Sequence, residues 1–505
     1  MSLKRILKLV LAYLTGQGVS ILAQLLVPPL FIHRYANGME IYGEWIALTA
    51  AISYIGTLNY GIQNYANNQM SIYYNRGEMQ KAQEVQASAL RLILIVVAAL
   101  SLFAMASLFL PVASWVGVHY VSSREASRTV FCILLQLIFG FPFSLLATSY
   151  MVIGQQHRGQ NWQNAQRLVA AVGLSICAWL RLPLSWLALT QAVSMLLFAA
   201  LVIVDLRIRA PFLLPSLRYG TWAGMRAQVK PSSYFMLLSL SSFLVWQGPI
   251  LVIQRILGPA AVSIFALSRT VFSMSRQVLN VATQAIGQDI SSTVGRRDWP
   301  GLKRLYDLSE KVILLITPVS TLGTLLACPL LFSLWLHQRS IYKPGICLLM
   351  AVVSAIIAIK EHKYQFQSSS NQHVALSKYY FVSNVAMLVL SALLMRSFGV
   401  GAFMVCWGLS ELGVTLYIVH LNKHLFPPEI HVSTRPIFQL FAMLAVGFSA
   451  AWWPVYQGAQ WGLGLVAAVA LLSMLLLTVV GYYLFGMAEV YEVIKRQILH
   501  KTASA

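Results

Sequence analysis

The sequence predicts an all-α polytopic membrane protein with about 14 transmembrane helices. They form two six-helix lobes related by a parallel pseudo-repeat, plus two extra C-terminal helices. Three observations lead there. Of the 505 residues, 58% are hydrophobic and only 10% are charged, whereas a soluble domain carries roughly 25% charged residues to clothe its surface. The apolar runs reach the ~20 residues that a spanning helix needs, and they lack the polar–apolar alternation of barrel strands. Two stretches also match at one distance. Gly38 pairs with Gly258 (258 − 38 = 220), and the same offset pairs Ser71 with Ser291, Arg76 with Arg296, Glu78 with Asp298, Arg91 with Lys311 and Trp115 with Trp335. Several matches at one spacing and in one order mark a duplicated unit.

The elements follow in chain order. Residues 1–20 place Lys4, Arg5 and Lys8 before an apolar run, as a signal peptide would. The run continues to about Ile32 with no small-x-small cleavage site, so it reads as a retained first helix over 9–33. Segments 42–64, 89–111, 128–153, 163–182 and 184–205 complete an N-lobe over 1–210. A basic stretch with Pro211, Pro215 and Pro231 follows, and 211–231 reads as a cytoplasmic linker. Segments 232–256, 260–288, 309–336, 344–368, 376–396 and 400–421 build a C-lobe over 232–425. Segments 436–456 and 462–486 lie outside the duplication, in 426–505, and the tail after Met487 reads as an amphipathic surface helix. Segments 42–64 and 260–288 are less apolar than the rest, which in a spanning helix means contact with protein or a wet cavity.

The net charge of +21 does not point to nucleic acid. Lys and Arg concentrate in short loops on one side of the predicted bundle, and this bias places both termini in the cytoplasm of a multi-pass inner-membrane protein. With an even number of helices per repeat, both repeats start from the same side. Their pseudo-axis then runs along the membrane normal, and a V-shaped cleft between lobes is expected. Cys132, Cys177, Cys328, Cys347 and Cys406 lie in or at the ends of apolar runs without CxxC or zinc spacing, as small buried hydrophobes. The histidines are scattered, and no HExxH, P-loop or dinucleotide fingerprint occurs. No catalytic residue, metal or cofactor is expected, and the chain does not read as an enzyme. Energy is expected from an ion gradient or the substrate's own gradient.

Arg269 and Arg276 are the sharpest chemical feature. They lie seven apart in 260–288 and share one helix face. An arginine at the bilayer centre costs about 2.5–3.5 kcal/mol on insertion scales, so two on one face call for a wet or anion-binding surface. They read as a cationic wall gripping a diphosphate; a structural ion pair, or snorkelling by Arg276, is the other reading. Lys360 and Glu361 fall inside 344–368; adjacent residues point about 100° apart on a helix, so they are not expected to pair. Either one lines a cavity or the helix ends early in a solvated charge cluster. Glu411, mid-helix in 400–421, could carry a proton or pair with a base on a neighbouring helix. Glu361 is a second candidate for ion coupling. Glu44 reads as a solvated interface residue. Gln17 and Gln247 are amides able to bond sugar hydroxyls or a neighbouring helix. Pro28, Pro29 and Pro249, late in the first helix of each repeat, are hinge candidates.

The Gly38…Tyr42-Gly43 turn, the Asn75-Arg76-Gly77-Glu78 loop and their echoes at Gly258 and Arg296-Arg297-Asp298 give the chain a resemblance. It resembles the polysaccharide and O-antigen flippases of the multidrug/oligosaccharidyl-lipid/polysaccharide (MOP) exporter superfamily, over about residues 5–490. The resemblance implies two six-helix bundles around a cationic cavity and transport of undecaprenyl-diphosphate-linked oligosaccharide. It implies a lipid-linked substrate, a bilayer and polysaccharide polymerase and chain-length proteins as partners. Arg269 matches a cavity arginine of related peptidoglycan-precursor flippases. Those also carry arginines in their first two helices, where this chain has Gln17 and no base, so Lys360 is the expected substitute. Two rivals stand beside this reading: an ion-coupled multidrug (MATE-type) antiporter, which should hold an acidic cavity, and a membrane-embedded glycan transferase or ligase, which should hold a sizeable outward loop.

Overall fold

The computed structural model describes residues 3–214, 216–286, 290, 293–294, 297–337, 341–370, 374–458, 460–492 and 495. These are helical almost throughout, as composition demands. The chain divides into two compact units, Met1–Ser263 and Ile264–Ala505.

In the first unit, α1 (Leu3–Arg34), α2 (Gly38–Asn75) and α3 (Met79–Ser107) are followed by a short turn of helix, α4 (Val112–Val116). Next come α5 (Ser123–Ser149), α6 (Gln156–Trp179) and α7 (Leu184–Arg209). The Ser122 side chain caps α5 by accepting from the Glu125 N–H, and Glu125 sits in the first turn, as in a capping box. Glu125 also accepts the Ser185 N–H at 2.8 Å, which ties the start of α7 to that of α5. Tyr35 donates to the Leu182 carbonyl at 2.6 Å, and burial pushes its phenol up to about 12, so the donor proton stays in place. The core packs Met70, Phe143, Tyr150, Phe198 and Leu206. Beside it Asp205 gathers Tyr150, Arg158 (2.7 and 2.6 Å), Trp162 (3.4 Å) and Arg209 (3.2 Å), which locks the ends of α5, α6 and α7 together.

The linker is shorter than expected. After two 3-10 turns, Pro211–Leu213 and Leu217–Tyr219, α8 (Trp222–Trp246) begins under a Thr221 cap, so residues 222–231 are helical. The turns are strapped to α3: Gln86 donates to the Leu213 carbonyl and Arg91 to that of Leu217, each at 2.6 Å. At Gln247 the helix breaks, and α9 (Gly248–Leu257) restarts with Pro249 in its first turn, where a missing N–H costs nothing. Pro28 and Pro29 instead lie within an uninterrupted α1.

α10 (Pro259–Ala285) crosses the division between units. The second unit continues with α11 (Trp299–Leu336), α12 (Pro344–Ser369), α13 (Val374–Lys423), α14 (Arg435–Gln457) and α15 (Leu463–Leu484). Gly399 (φ 61°, ψ −154°) breaks α13 into two passes. Tyr306 is the centre of an aromatic core with Phe366 (4.8 Å between centroids) and Phe426 (5.8 Å).

With the five-residue α4 set aside, α8 and α9 as one pass and α13 as two, the 14 expected segments correspond one to one with these helices among the described residues. Large apolar side chains point outward, such as Phe109, Leu393 and Tyr483, as a hydrocarbon solvent favours. Among the described residues, ten helical stretches are long and apolar enough to cross a membrane. The described parts of α2 and α10, expected to be the less apolar pair, are not among them, and neither is α6, which the sequence reading did not single out.

The duplication is written in the backbone. Gly77 (φ 77°) and Arg297 (φ 56°) are both left-handed and 220 apart, as are Gly117 (φ 78°) and His337 (φ 53°). Around the first pair the hydrogen bonds repeat. The Glu78 N–H reaches the Tyr73 carbonyl (2.9 Å) and the Asp298 N–H that of Thr293 (3.1 Å), while Ala82 reaches Glu78 (3.1 Å) and Leu302 reaches Asp298 (2.9 Å). At the turn into α2 the match is displaced by one. Left-handed Asn37 (φ 54°) corresponds to Gly258 (φ 85°), so this turn repeats at 221. Ser291 and Arg296 lie outside the described residues.

Candidate functional site

In the second unit, charged side chains gather on α10, α12 and α13. Lys360 on α12 is buried, and its Nζ lies 2.8 Å from Glu411 Oε2 on α13. The same nitrogen is 3.4 Å from Glu361 Oε1 and 3.2 Å from the Tyr380 hydroxyl. Lys360 and Glu361 therefore do approach each other, against expectation, because their long stems bend across the angle that separates their Cβ atoms. α12 runs on to Ser369, so these charges do not mark an early helix end. Of the two fates weighed for Glu411, ion pairing with a neighbouring helix is the one seen. Its other oxygen accepts from Trp407 Nε1 at 3.1 Å.

Arg276 is buried on α10, and its electrostatic neighbours are Glu361, Glu411 and Tyr380. Arg269, two turns earlier, is half-buried with its guanidinium 5.2 Å from the Phe265 ring centroid. Phe265 meets Phe403 edge-on at 5.4 Å, and Phe403 stacks on Trp407 at 5.6 Å. A continuous run of aromatic contacts therefore leads from Arg269 to Glu411 and its lysine partner. Arg276, Lys360, Glu361 and Glu411 come together as one group, with Arg269 joined to it through rings.

Gln17 and Gln247 belong to the first unit. Gln17 is exposed on α1, and Gln247 is half-buried at the break between α8 and α9. Glu44 is a correction. It is fully buried rather than solvated, and its carboxylate accepts the N–H groups of His119 (2.5 Å), Tyr120 (2.7 Å) and Val121 (2.8 Å). Three converging donors replace the water that the charge gives up.

Sequence reasoning missed a second buried pair, Lys363 with Glu310, one turn from Lys360. Lys363 also lies 3.9 Å from the Tyr306 ring centroid, and the adjacent His362 bonds Ser309 at 2.9 Å. Their signal was the run Lys360-Glu361-His362-Lys363 inside an apolar segment. It also missed two cavities. One, of about 360 Å³, has a mixed polar and apolar lining and lies within the first unit; the other, of about 530 Å³, is apolar and lies between α11, α14 and α15. All five cysteines are buried free thiols, as expected. No group of histidines, cysteines and carboxylates suited to a metal occurs among the described residues.

No family model matches the sequence, and no curated protein matches it. Solved structures share the fold. The lipid II flippase MurJ in an inward closed conformation aligns with a TM-score of 0.71 at 10% identity, covering 97% of this chain and 100% of its own. An inward-facing multidrug resistance MATE family transporter of the MOP superfamily aligns with a TM-score of 0.62 at 12% identity, covering 81% and 95%. The MATE multidrug transporter DinF-BH aligns at 0.58 and 18% identity, covering 84% and 96%. The chain has the polytopic helical fold common to these membrane transporters and flippases.

Proposed function

We propose that this protein is a flippase that moves an undecaprenyl-diphosphate-linked oligosaccharide, an O-antigen-like or other surface polysaccharide repeat unit, across the bacterial inner membrane by alternating access. A glycan headgroup cannot cross about 30 Å of hydrocarbon unaided, because its hydroxyls would lose water without replacement bonds. The observation that carries the reading is the pair Arg269 and Arg276 on one face of α10, a helix whose described part does not rank among the apolar spans. A planar guanidinium suits bidentate contact with a diphosphate oxygen pair. Lys360 adds a third cation to the group. Gln17 and Gln247 are the proposed hydroxyl contacts, Glu411 and Glu361 the groups that exchange a proton or cation, and Pro28, Pro29 and Pro249 the hinges.

Two further features support a lipid-linked cargo. The apolar cavity is walled by Leu326, Met443, Val446, Val469 and Leu476, a lining that suits an isoprenoid tail. The lipid II flippase matches over 97% of the chain, which leaves too few residues outside the alignment for a further spanning helix. The antiporter reading needs a carboxylate available to a cationic drug, whereas Glu411 is buried 2.8 Å from Lys360 and the half-exposed Glu361 lies 3.4 Å from the same lysine.

The test is complementation of a deletion strain. Arg269→Ala should lower surface polysaccharide at least tenfold and leave the lipid-linked glycan on the cytoplasmic leaflet, while Arg269→Lys restores part of it. Full surface polysaccharide in the alanine strain would sink the role given to Arg269. Increased sensitivity of the deletion strain to cationic dyes, with normal polysaccharide, would favour the antiporter.

A further inference from the structure

The 360 Å³ cavity of the first unit combines apolar wall with rows of polar side chains on three helices. α2 contributes Gln63 and Asn67, four apart. α5 contributes Gln136, Ser144 and Thr148 at multiples of four. α6 contributes Gln156, Gln160 and Gln163, then Arg167, at the three- and four-residue steps of a single face. α6, described throughout, is not among the apolar spans, and its polar row lines this cavity. Several wall residues are already fixed. Gln63 donates to Ser144 and, at 3.5 Å, to the Phe141 carbonyl; Gln160 donates to Asn164 at 2.9 Å and Gln156 to the Tyr13 hydroxyl at 3.2 Å. Asn67 is 5% exposed, and its carbonyl oxygen has no hydrogen-bond partner among the described residues. A buried acceptor without a donor is costly, so the wall is complete only when the cavity's contents supply one.

The chemistry of the lining selects the occupant. Arg167, exposed, is the one charged side chain among the described lining residues, and no Asp or Glu is among them. A cationic drug would find no counter-charge, and a diphosphate would find a single solvated guanidinium. Amides and hydroxyls that both donate and accept suit a neutral polyol. Tyr13, Phe141 and Phe143 add aromatic rings against which the C–H face of a sugar can pack. The volume lies at the small end of the ~300–1,000 Å³ usual for ligand pockets, which suits part of a headgroup rather than a whole oligosaccharide.

We propose that this cavity is a sugar subsite that takes one neutral hexose or N-acetylhexosamine ring of the transported headgroup. The proposal rests on the flippase reading for its source of sugar, but its test does not require transport. Saturation-transfer NMR on the purified full-length chain uses the methyl glycosides of glucose, galactose and N-acetylglucosamine as probes, with a cationic rhodamine dye as the contrast. At least one glycoside should receive saturation from the wild-type chain. The signal should fall at least fivefold in Gln163→Leu and in Gln136→Leu, each eluting as a monodisperse protein, and recover in part in Gln163→Asn. No glycoside signal from wild type, or an undiminished signal in both leucine variants, overturns the subsite. So does a rhodamine signal that these variants abolish while glycoside signals persist. None of these results bears on the diphosphate role of Arg269, whose failure is read separately as normal surface polysaccharide.

Discussion

Lys360 and Glu411, 51 positions apart in sequence, meet at 2.8 Å with both side chains withdrawn from solvent. Removing one partner of such a pair leaves a buried charge uncompensated, at a cost of about 3–5 kcal/mol. The two ends are unequal, because Lys360 keeps a direct partner in Glu361 at 3.4 Å when Glu411 is lost, whereas Glu411 without Lys360 keeps Arg276 as an electrostatic neighbour. Lys360→Met should therefore lower the melting temperature of the detergent-solubilised protein more than Glu411→Gln. The double variant Lys360→Met/Glu411→Met should recover most of the loss, since an apolar replacement of a buried pair is often neutral. A double variant no more stable than Lys360→Met would show that the pair is not the unit.

Glu44 holds the chain after α4 through three backbone N–H groups. Glu44→Ala leaves these donors without their acceptor, at about 1–3 kcal/mol for each that water does not reach. Glu44→Gln keeps one acceptor oxygen and should lose less. Limited proteolysis is the measurement. Cleavage within 117–122 should increase in the order wild type, glutamine, alanine, and equal rates in all three would remove Glu44 from this role.

Asp205 is expected to tie three helices through its bidentate contact with Arg158. Asp205→Asn turns one acceptor oxygen into a donor facing a guanidinium. Hydrogen bonds to charged groups are worth about 1.5–3 kcal/mol each, so a fall in melting temperature should accompany the change. Arg209→Ala touches the same carboxylate from a more exposed position and should cost about 1 kcal/mol or less. Comparable losses for the two variants would contradict this ranking.

Gly43 and Gly18 make a paired test of close packing. A Cβ on Gly43 would strike the carbonyl oxygen and backbone of Pro259, where α2 crosses the start of α10. A Cβ on Gly18 would meet nothing within 4 Å. Gly43→Ala should destabilise by at least about 1–3 kcal/mol, the usual range for overpacking. Gly18→Ala should be neutral or stabilise by up to about 1 kcal/mol through helix propensity. Thermal unfolding of the two proteins side by side distinguishes them.

Most passes of this fold were legible because they are apolar runs, and hydropathy sees the part of a helix that lies in hydrocarbon. It does not see helix that continues into water. α3 and α11 therefore begin ten residues before the expected starts, with Gln80, Lys81 and Glu84 in one and Lys303, Arg304 and Asp307 in the other. The candidate site was legible as a set of costly side chains, and Arg276, Lys360, Glu361 and Glu411 do converge. Their partners were not legible, since pairing depends on which helix faces which. Lys363 with Glu310 and Glu44 with the 119–121 backbone are contacts of this kind. The cavity of the first unit left a readable trace in the 156–160–163–167 spacing of α6, a periodicity that a scan for charged residues passes over.

The matched torsions at Gly77 and Arg297 have a wider use. One position holds glycine, which adopts this torsion freely; the other holds an arginine at the same sign of φ. Side-chain identity has drifted between the halves while the handedness of the turn has not. Ancestry in such chains is better traced by a string of backbone angles than by letters, and that string offers a way to recognise duplicated helical membrane proteins whose residues no longer align.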